Sequence, residues 1–210
     1  MASTEQRQER FRAGDSRSAQ LHQQAVAVMP GGNSRTTVHL DPFPPYAAGG
    51  RGCFVVDAEG EARLDFLNNY TSLIHGHADP DINAAVIAQL ESGTAFAMPT
   101  DSEIALAALL VERIPSVELV RFCNSGTEAV MTAIQGARGF TGRPKIAKFE
   151  GSYNGGYDFA AVSTSSPDAL WSDSDPLPHP YHQGTPQGVL DNVIVLRYND
   201  MAMAERLIEA

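Results

Sequence analysis

The sequence predicts an α/β fold built on a mostly parallel sheet with helices on both faces. Two features indicate this class. From about residue 76 onward, apolar runs of strand length alternate with helical patterns, which is the order of βαβ units. The longer helices also start at capping residues, so their ends can be located. A length of 210 residues suits one large domain, or one domain and part of another.

Capping residues and amphipathic patterns predict five helices. One covers 79–93, because Asp-Pro supplies an N-cap with a first-turn proline, and a glycine follows the last turn. A second covers 100–115, where Thr and Glu stand three residues apart as in a capping box. A third covers 125–142. Amphipathic patterns add a helix within 4–29, which a Pro-Gly-Gly run ends, and a helix that begins at Asp200.

Short apolar runs predict the strands. The runs 53–57 and 63–67 flank an Ala-Glu-Gly turn and are predicted as a hairpin. Three further runs, 117–122, 145–149 and 192–196, are predicted as strands of the main sheet.

The composition argues against several functions. The formal net charge is −10 with no basic patch, which argues against nucleic-acid binding. No apolar run approaches the length of a membrane span. The N-terminal residues carry acids and no apolar core, unlike signal and transit peptides, so a cytoplasmic protein is expected. Two cysteines make no disulfide framework, and His75 with His77 lacks a third ligand for a metal.

Residues 124–128 read Asn-Ser-Gly-Thr-Glu and link the predicted strand 117–122 to the third helix. A strand that turns tightly into a helix exposes backbone N–H groups at the positive end of the helix dipole, and these groups bind phosphate. Ser125 and Thr127 add hydroxyl donors, and Gly126 allows a close approach. A phosphate-binding turn is therefore predicted, although the Ser-x-x-Glu spacing also fits a plain capping box without a ligand.

Six ordered motifs within about 25–165 resemble the class-III aminotransferase family. The later three are Asn-Ser-Gly-Thr-Glu-Ala at 124–129, Ala-Arg-Gly-Phe-Thr-Gly-Arg-Pro-Lys-Ile at 137–146, and Phe-Glu-Gly-Ser-Tyr-Asn-Gly at 149–155. The earlier three are Pro-Gly-Gly-Asn-Ser-Arg at 30–35, Gly-His at 76–77, and Pro-Thr at 99–100. The resemblance is nearest to the branch of glutamate-1-semialdehyde 2,1-aminomutase and the β-amino-acid transaminases.

The resemblance implies a fold-type-I enzyme that uses pyridoxal 5′-phosphate. In this family the Ser-Gly-Thr turn holds the cofactor phosphate, which assigns Ser125, Gly126 and Thr127 to cofactor binding. The aromatic residue after the Phe-Glu-Gly strand end stacks on the pyridine ring, and Tyr153 stands at that position. Asn154 follows it, where the family usually has His, and is assigned to the same site.

The resemblance also implies a substrate site and a domain division. An arginine just after the Pro-Gly-Gly turn binds the substrate carboxylate in this branch, and Arg35 stands there with a guanidinium fork that suits a carboxylate. Tyr70 is expected to line the substrate pocket. Residues 1–75 correspond to an N-terminal segment with the small-domain hairpin, and 76–210 to the front of the large domain. Family members are homodimers.

Two groups that the chemistry needs are missing from the sequence. A Schiff-base lysine and a carboxylate opposite the pyridine nitrogen lie in later parts of the family's large domain. The two lysines present, Lys145 and Lys148, stand at ordinary strand positions, so no catalytic residue is assigned. Three main-sheet strands are too few to cover the helices, so the chain is expected to be the N-terminal part of a larger fold and inactive alone.

Several functions stay open at this stage. The intact enzyme is expected to transfer an amino group, or to shift it from carbon 2 to carbon 1, on a carboxylate-bearing amino acid or amino aldehyde. Transamination of a β-amino acid with a keto acid is the enzymatic alternative. A truncated, non-catalytic remnant or a dimerising half-domain with an open sheet edge is the other. The segment 163–188, rich in Ser, Pro, Asp and Gly, is predicted to be a functional or disordered loop.

Overall fold

The computed structural model describes residues 6, 9, 11, 12, 14–167 and 175–209. The chain divides into two compact units, Met1–Pro99 and Thr100–Ala210. The predicted division at residue 75 concerns the domains of the family's full fold and stays a prediction. No helix in the described part of the chain is long and apolar enough to cross a lipid bilayer.

A three-stranded antiparallel sheet forms the centre of the first unit. Its strands are β1 (Ala47–Arg51), β2 (Phe54–Asp57) and β3 (Ala62–Leu64), in that order. The predicted hairpin is confirmed as β2 and β3. The buried Asp57 closes the hairpin turn, because its carboxylate accepts two backbone N–H groups and pairs with Arg63.

Helix α1 (Arg17–Val26) is tied to the same hairpin through a buried serine. The backbone N–H of Ser18 and its hydroxyl both donate to the Glu59 carboxylate, at 2.7 and 2.9 Å. A 3-10 turn at Pro30–Gly32 follows the helix. Helix α2 (Pro80–Ser92) starts at Asp79, whose side chain caps it as predicted.

The described part of the second unit contains a two-stranded parallel sheet and five helical segments. Helix α3 (Asp101–Arg113) and helix α4 (Gly126–Thr141) precede strand β4 (Ile146–Phe149), and all three confirm the predicted elements. Strand β5 (Val193–Leu196) pairs with β4 in parallel, with Val195 opposite Lys148. The remaining elements are the single turns α5 (Asp158–Ala161) and α6 (Gln187–Leu190) and helix α7 (Met201–Glu209).

Four valines form the small core of this unit: Val162, Val189, Val193 and Val195. They come from β5, from α6 and from the segment after α5, so they hold the connection between β4 and β5 against the strand pair. Burial of several branched side chains at about 1.5–3 kcal/mol each is the main term that stabilises this packing.

The predicted strand at 117–122 is wrong for this structure. These residues are irregular and pair with no strand among the described residues, and Leu119 is 92 % exposed. A strand needs a neighbouring strand for its N–H and C=O groups, and within the described residues β4 pairs with β5 alone. The apolar run therefore predicted a strand for which the described residues provide no neighbouring strand. Of the predicted loop 163–188, residues 168–174 lie outside the described residues.

Candidate cofactor-phosphate site

The start of α4 is closed by reciprocal side-chain caps. The Ser125 hydroxyl oxygen accepts the Glu128 N–H at 3.2 Å, and the Glu128 carboxylate accepts the Asn124 N–H at 2.8 Å. The serine half of the predicted capping box is therefore present, while Glu128 bonds the residue before the N-cap, Asn124, instead of Ser125 itself. This arrangement leaves the N–H groups of Gly126 and Thr127 without an acceptor among the described residues, so the cap and an anion site coexist at one helix start.

The same helix start is open to a ligand. Ser125 and Gly126 are exposed and Thr127 is half-buried. A Cβ built at Gly126 would meet nothing within 4 Å, so the space beside its backbone is free. Free amides, an open approach and the positive end of a 16-residue helix dipole together form an anion-binding geometry.

Thr127 also contacts the loop between β4 and α5. Residues 150–157 are called the Tyr153 loop. The Thr127 Oγ1 accepts the Gly156 N–H at 3.0 Å, and a Cβ at Gly155 would lie 2.9 Å from the Thr127 Cα. Gly155 has φ +94, which glycine alone adopts easily. Gly155 and Gly156 therefore allow the loop to approach the helix start. The Gly-Gly pair is the feature of the sequence that indicates this close approach. Because Oγ1 serves as an acceptor, the hydroxyl hydrogen of Thr127 stays available to an anion.

The two predicted ring-binding residues lie on this loop. Tyr153 is 68 % exposed, and its ring forms no hydrogen bond or aromatic pair with the described residues. Asn154 is half-buried, and its side-chain nitrogen donates to the Ser152 hydroxyl at 3.1 Å. The structure thus brings Tyr153 and Asn154 together with the start of α4 through Thr127.

A buried lysine lies under the loop and was missed as a functional candidate. Lys148 is 8 % exposed and donates to the backbone carbonyl oxygens of Ser152 within the loop and of Ala160 in α5. Burial lowers its pKa to about 8. A lysine within a strand is ordinarily solvated, so the sequence offered no signal for this arrangement.

The two predicted substrate-site residues lie in the first unit. The Arg35 guanidinium donates to the Asn69 side-chain oxygen at 3.0 Å, and the Tyr70 hydroxyl donates to the Thr37 carbonyl oxygen at 3.2 Å. Asn69 and Tyr70 belong to a left-handed turn, Asn68–Thr71, in which all four φ values are positive. Such a run costs free energy at every residue, and it places Asn69 and Tyr70 beside the segment that carries Arg35.

The Gly-His motif forms a second cluster in the first unit. The His77 Nε2 lies 2.7 Å from the Asp65 carboxylate, at a cavity of about 440 Å³. Hydrogen bonds from the Asn68 N–H and from His77 hold the pKa of Asp65 below its usual range. Gly50 packs closely against the His77 imidazole, since a Cβ at Gly50 would lie 2.7 Å from the ring. No group of three or more metal-binding side chains occurs within the described ranges.

Known proteins with similar sequences and structures identify the family. The family model "Aminotransferase class-III" matches residues 37–206. The chain is 43 % identical over 190 residues to the glutamate-1-semialdehyde 2,1-aminomutase of Methanothermobacter thermautotrophicus, covering 90 % of this chain and 43 % of that protein.

Two solved structures share the fold at high similarity. An omega-transaminase from Sphaerobacter thermophilus superposes with a TM-score of 0.90 and 62 % identity, over 95 % of this chain and 45 % of the other. A transaminase with PLP bound gives a TM-score of 0.84 and 46 % identity, over 91 % of this chain and 44 % of the other. The chain thus spans less than half the length of the relatives it matches.

The chain belongs to the class-III aminotransferase family, and its fold is part of the fold-type-I architecture of these enzymes. Class-III aminotransferases depend on pyridoxal 5′-phosphate. The residues present fit the phosphate end of that cofactor. Two amides at an exposed helix start lack acceptors among the described residues, and the hydroxyl hydrogens of Ser125 and Thr127 are available.

Proposed function

We propose that this chain supplies the phosphate-binding and ring-stacking residues of an enzyme that moves amino groups. The free amides of Gly126 and Thr127, at a helix start whose cap is already closed, are the observation that carries the proposal. When bound, the cofactor supplies the electron sink that weakens bonds at the amino-bearing carbon. The protein's part is to bind the cofactor, orient it and hold the substrate.

Each assigned residue has a role that its chemistry allows. The amides and the hydroxyls of Ser125 and Thr127 bind the phosphate dianion through charge-assisted hydrogen bonds. Tyr153 stacks on the pyridine ring, and Asn154, fixed on Ser152, orients the loop end beside it. Arg35 binds the substrate carboxylate while Asn69 fixes the guanidinium direction, and Tyr70 lines the substrate pocket.

Neither lysine of the chain suits covalent attachment to the cofactor. The Lys148 ammonium is engaged with carbonyl oxygens, and Lys145 is exposed at the entry to β4. We therefore place the Schiff-base lysine outside these 210 residues and expect the chain alone to be inactive. A reading frame that continues past codon 210 into an Asp-containing strand and a Ser-Lys segment supports this, whereas a genuine stop codon supports the non-catalytic remnant.

A binding experiment separates phosphate recognition from every covalent reaction. Pyridoxamine 5′-phosphate has no aldehyde and forms no imine with an amine, and pyridoxamine differs from it only by the phosphate. Calorimetric titration of the chain with both compounds is expected to give at least about tenfold tighter binding of the phosphorylated one, because two or more charge-assisted hydrogen bonds are involved. Equal affinities would contradict the proposed phosphate site.

Transamination is the favoured fate of the amino group. The 62 % identity to an omega-transaminase exceeds the 43 % identity to a glutamate-1-semialdehyde 2,1-aminomutase. Arg35, three residues after the Pro-Gly-Gly turn, suits the carboxylate that the substrates of both reactions carry. An assay of the intact enzyme with an amine panel, with and without 2-oxoglutarate, tests this. Turnover that needs the keto acid supports transamination, and turnover without it supports the 2,1-aminomutase reaction.

Exposed apolar side chains support an assembly with further protein. Ile104 on α3 is 62 % exposed and Phe140 on α4 is 93 % exposed. We propose that the rest of the fold and a second subunit cover these surfaces in a cytoplasmic homodimer. Sedimentation of the intact enzyme tests the dimer, and a monomer at micromolar concentration contradicts it.

A further inference from the structure

The buried lysine under the Tyr153 loop has a complete set of hydrogen bonds. The Lys148 ammonium donates to the carbonyl oxygens of Ser152 and Ala160, both at 2.9 Å, and to that of Val162. A longer contact joins the same nitrogen to the Thr164 hydroxyl oxygen at 3.3 Å. The three carbonyl oxygens alone match the full donor capacity of an ammonium. Ser152 lies within the Tyr153 loop, whereas Ala160 and Val162 lie in α5 and just after it, so one side chain joins the loop to the segment that follows it.

The loop is held at two places that flank Tyr153. On one side, Lys148 binds the carbonyl of Ser152, the residue just before it. On the other side, the Gly156 N–H donates to Thr127 at the start of α4. The tyrosine ring itself is exposed. Its direction is therefore set by the backbone on either side rather than by contacts of the ring.

We propose that Lys148 is a positioning residue for Tyr153. Its ammonium ties the carbonyl that precedes Tyr153 to the turn at residues 160–164, and so holds the tyrosine where it stacks on the pyridine ring. The stacking part of this inference rests on the proposed function. The tie itself involves only atoms of this chain. Lys148 touches no reacting group and acts through the backbone of Ser152.

Charge is essential to the tie. No carboxylate of the described residues offsets the burial that lowers the pKa of Lys148 to about 8. Above that pH the amine keeps two N–H groups for three carbonyls, so one carbonyl loses its donor. The titratable groups on the surrounding elements include Glu150, Tyr153, Tyr157, Asp158 and His179. A Lys148→Arg variant retains all of them and keeps its charge, so it separates their titration from that of Lys148.

Titration with pyridoxamine 5′-phosphate measures the consequence for the cofactor. Lys148→Met is expected to weaken binding by about five- to tenfold, the contribution of one aromatic stacking contact. Lys145→Met is the matched control and should bind like the wild type. In the wild type, the affinity for pyridoxamine 5′-phosphate should fall as the pH rises through 8. Lys148→Arg should bind more tightly than Lys148→Met, and its affinity should not fall over that pH range. In a Tyr153→Ala background, Lys148→Met should add nothing further.

Amide hydrogen exchange without cofactor measures the tie directly. Residues 151–156 should lose protection in Lys148→Met and keep it in Lys145→Met. Unchanged protection together with unchanged affinity overturns the inference, as does an effect of Lys148→Met that persists in the Tyr153→Ala background. A wild type that binds no pyridoxamine 5′-phosphate overturns the proposed function, while exchange still tests the tie. If Lys148→Met does not fold, the pH profiles of the wild type and Lys148→Arg test the inference instead. A fall in affinity through pH 8 in both proteins, or in neither, overturns it.

Discussion

Removing the serine at the start of α4 should impair two functions of one side chain. Ser125→Ala deletes the N-cap of α4, and Thr100→Ala deletes an equivalent cap on α3, where the hydroxyl accepts the Glu103 N–H at 3.4 Å. Each change should lower the free energy of unfolding by about 1 kcal/mol. Ser125→Ala alone should also weaken the binding of pyridoxamine 5′-phosphate by roughly 10- to 100-fold, because a hydrogen bond to a charged phosphate contributes about 1.5–3 kcal/mol.

The assay is urea unfolding for stability and calorimetry for binding, with both variants measured at one salt concentration. Both variants are expected to lose a similar amount of stability, whereas only Ser125→Ala is expected to lose affinity for pyridoxamine 5′-phosphate. If both variants lose affinity equally, or if neither does, Ser125 is only a helix cap and the reasoning about its hydroxyl hydrogen is refuted.

Three further predictions follow from local geometry. Gly155→Ala should lower the free energy of unfolding by about 1–3 kcal/mol, because its φ is +94 and the new Cβ lies 2.9 Å from the Thr127 Cα. Gly184→Ala, with nothing within 4 Å, should be nearly neutral in the same urea titration, and equal effects contradict the close approach. The pKa of Asp65 lies below 3.8 in the folded protein, so its stabilising effect is present above that pH and disappears as the pH falls through the lowered value. Asp65→Asn should therefore flatten the acid limb of a pH–stability curve, and an unchanged limb argues against the hydrogen bonds that the carboxylate accepts from the Asn68 N–H and from His77. Pyridoxal 5′-phosphate followed by borohydride should leave no adduct on Lys148 by mass spectrometry, and a stable adduct there refutes its engagement with carbonyls.

The helices were predictable because their ends are encoded by single residues. Asp79, Thr100 and Ser125 each cap the helix that the sequence predicted, and Gly142 ends α4 in a left-handed conformation. These are local hydrogen bonds whose partners lie within four residues. Such contacts can be read from spacing alone.

The sheets were predictable only where a partner strand lies within the chain. The apolar runs 146–149 and 193–196 pair with each other as β4 and β5, whereas 117–122 has no partner strand in the described part of the chain and is irregular. Strand β1 reads Ala-Ala-Gly-Gly-Arg and carries no strand signal of its own. It forms because its backbone N–H and C=O groups pair with those of β2. That pairing depends on the tertiary structure and not on the local sequence.

The site was predictable as a set of motifs but not as a geometry. The Ser-Gly-Thr turn and Tyr153 were recognised by residue type. Thr127 contacts Gly156, 29 positions away, and Arg35 contacts Asn69, 34 positions away. The buried Lys148 bonds Ala160, 12 positions away. No periodicity or spacing in one sequence encodes such contacts, because they arise only when the backbone has folded.

A structure of the chain with pyridoxamine 5′-phosphate bound tests the central claim most directly. The account predicts phosphate oxygens within hydrogen-bonding distance of the Gly126 and Thr127 amide nitrogens, with the pyridine ring against Tyr153. A phosphate bound elsewhere, or amides of that turn engaged by protein acceptors in the complex, would contradict it.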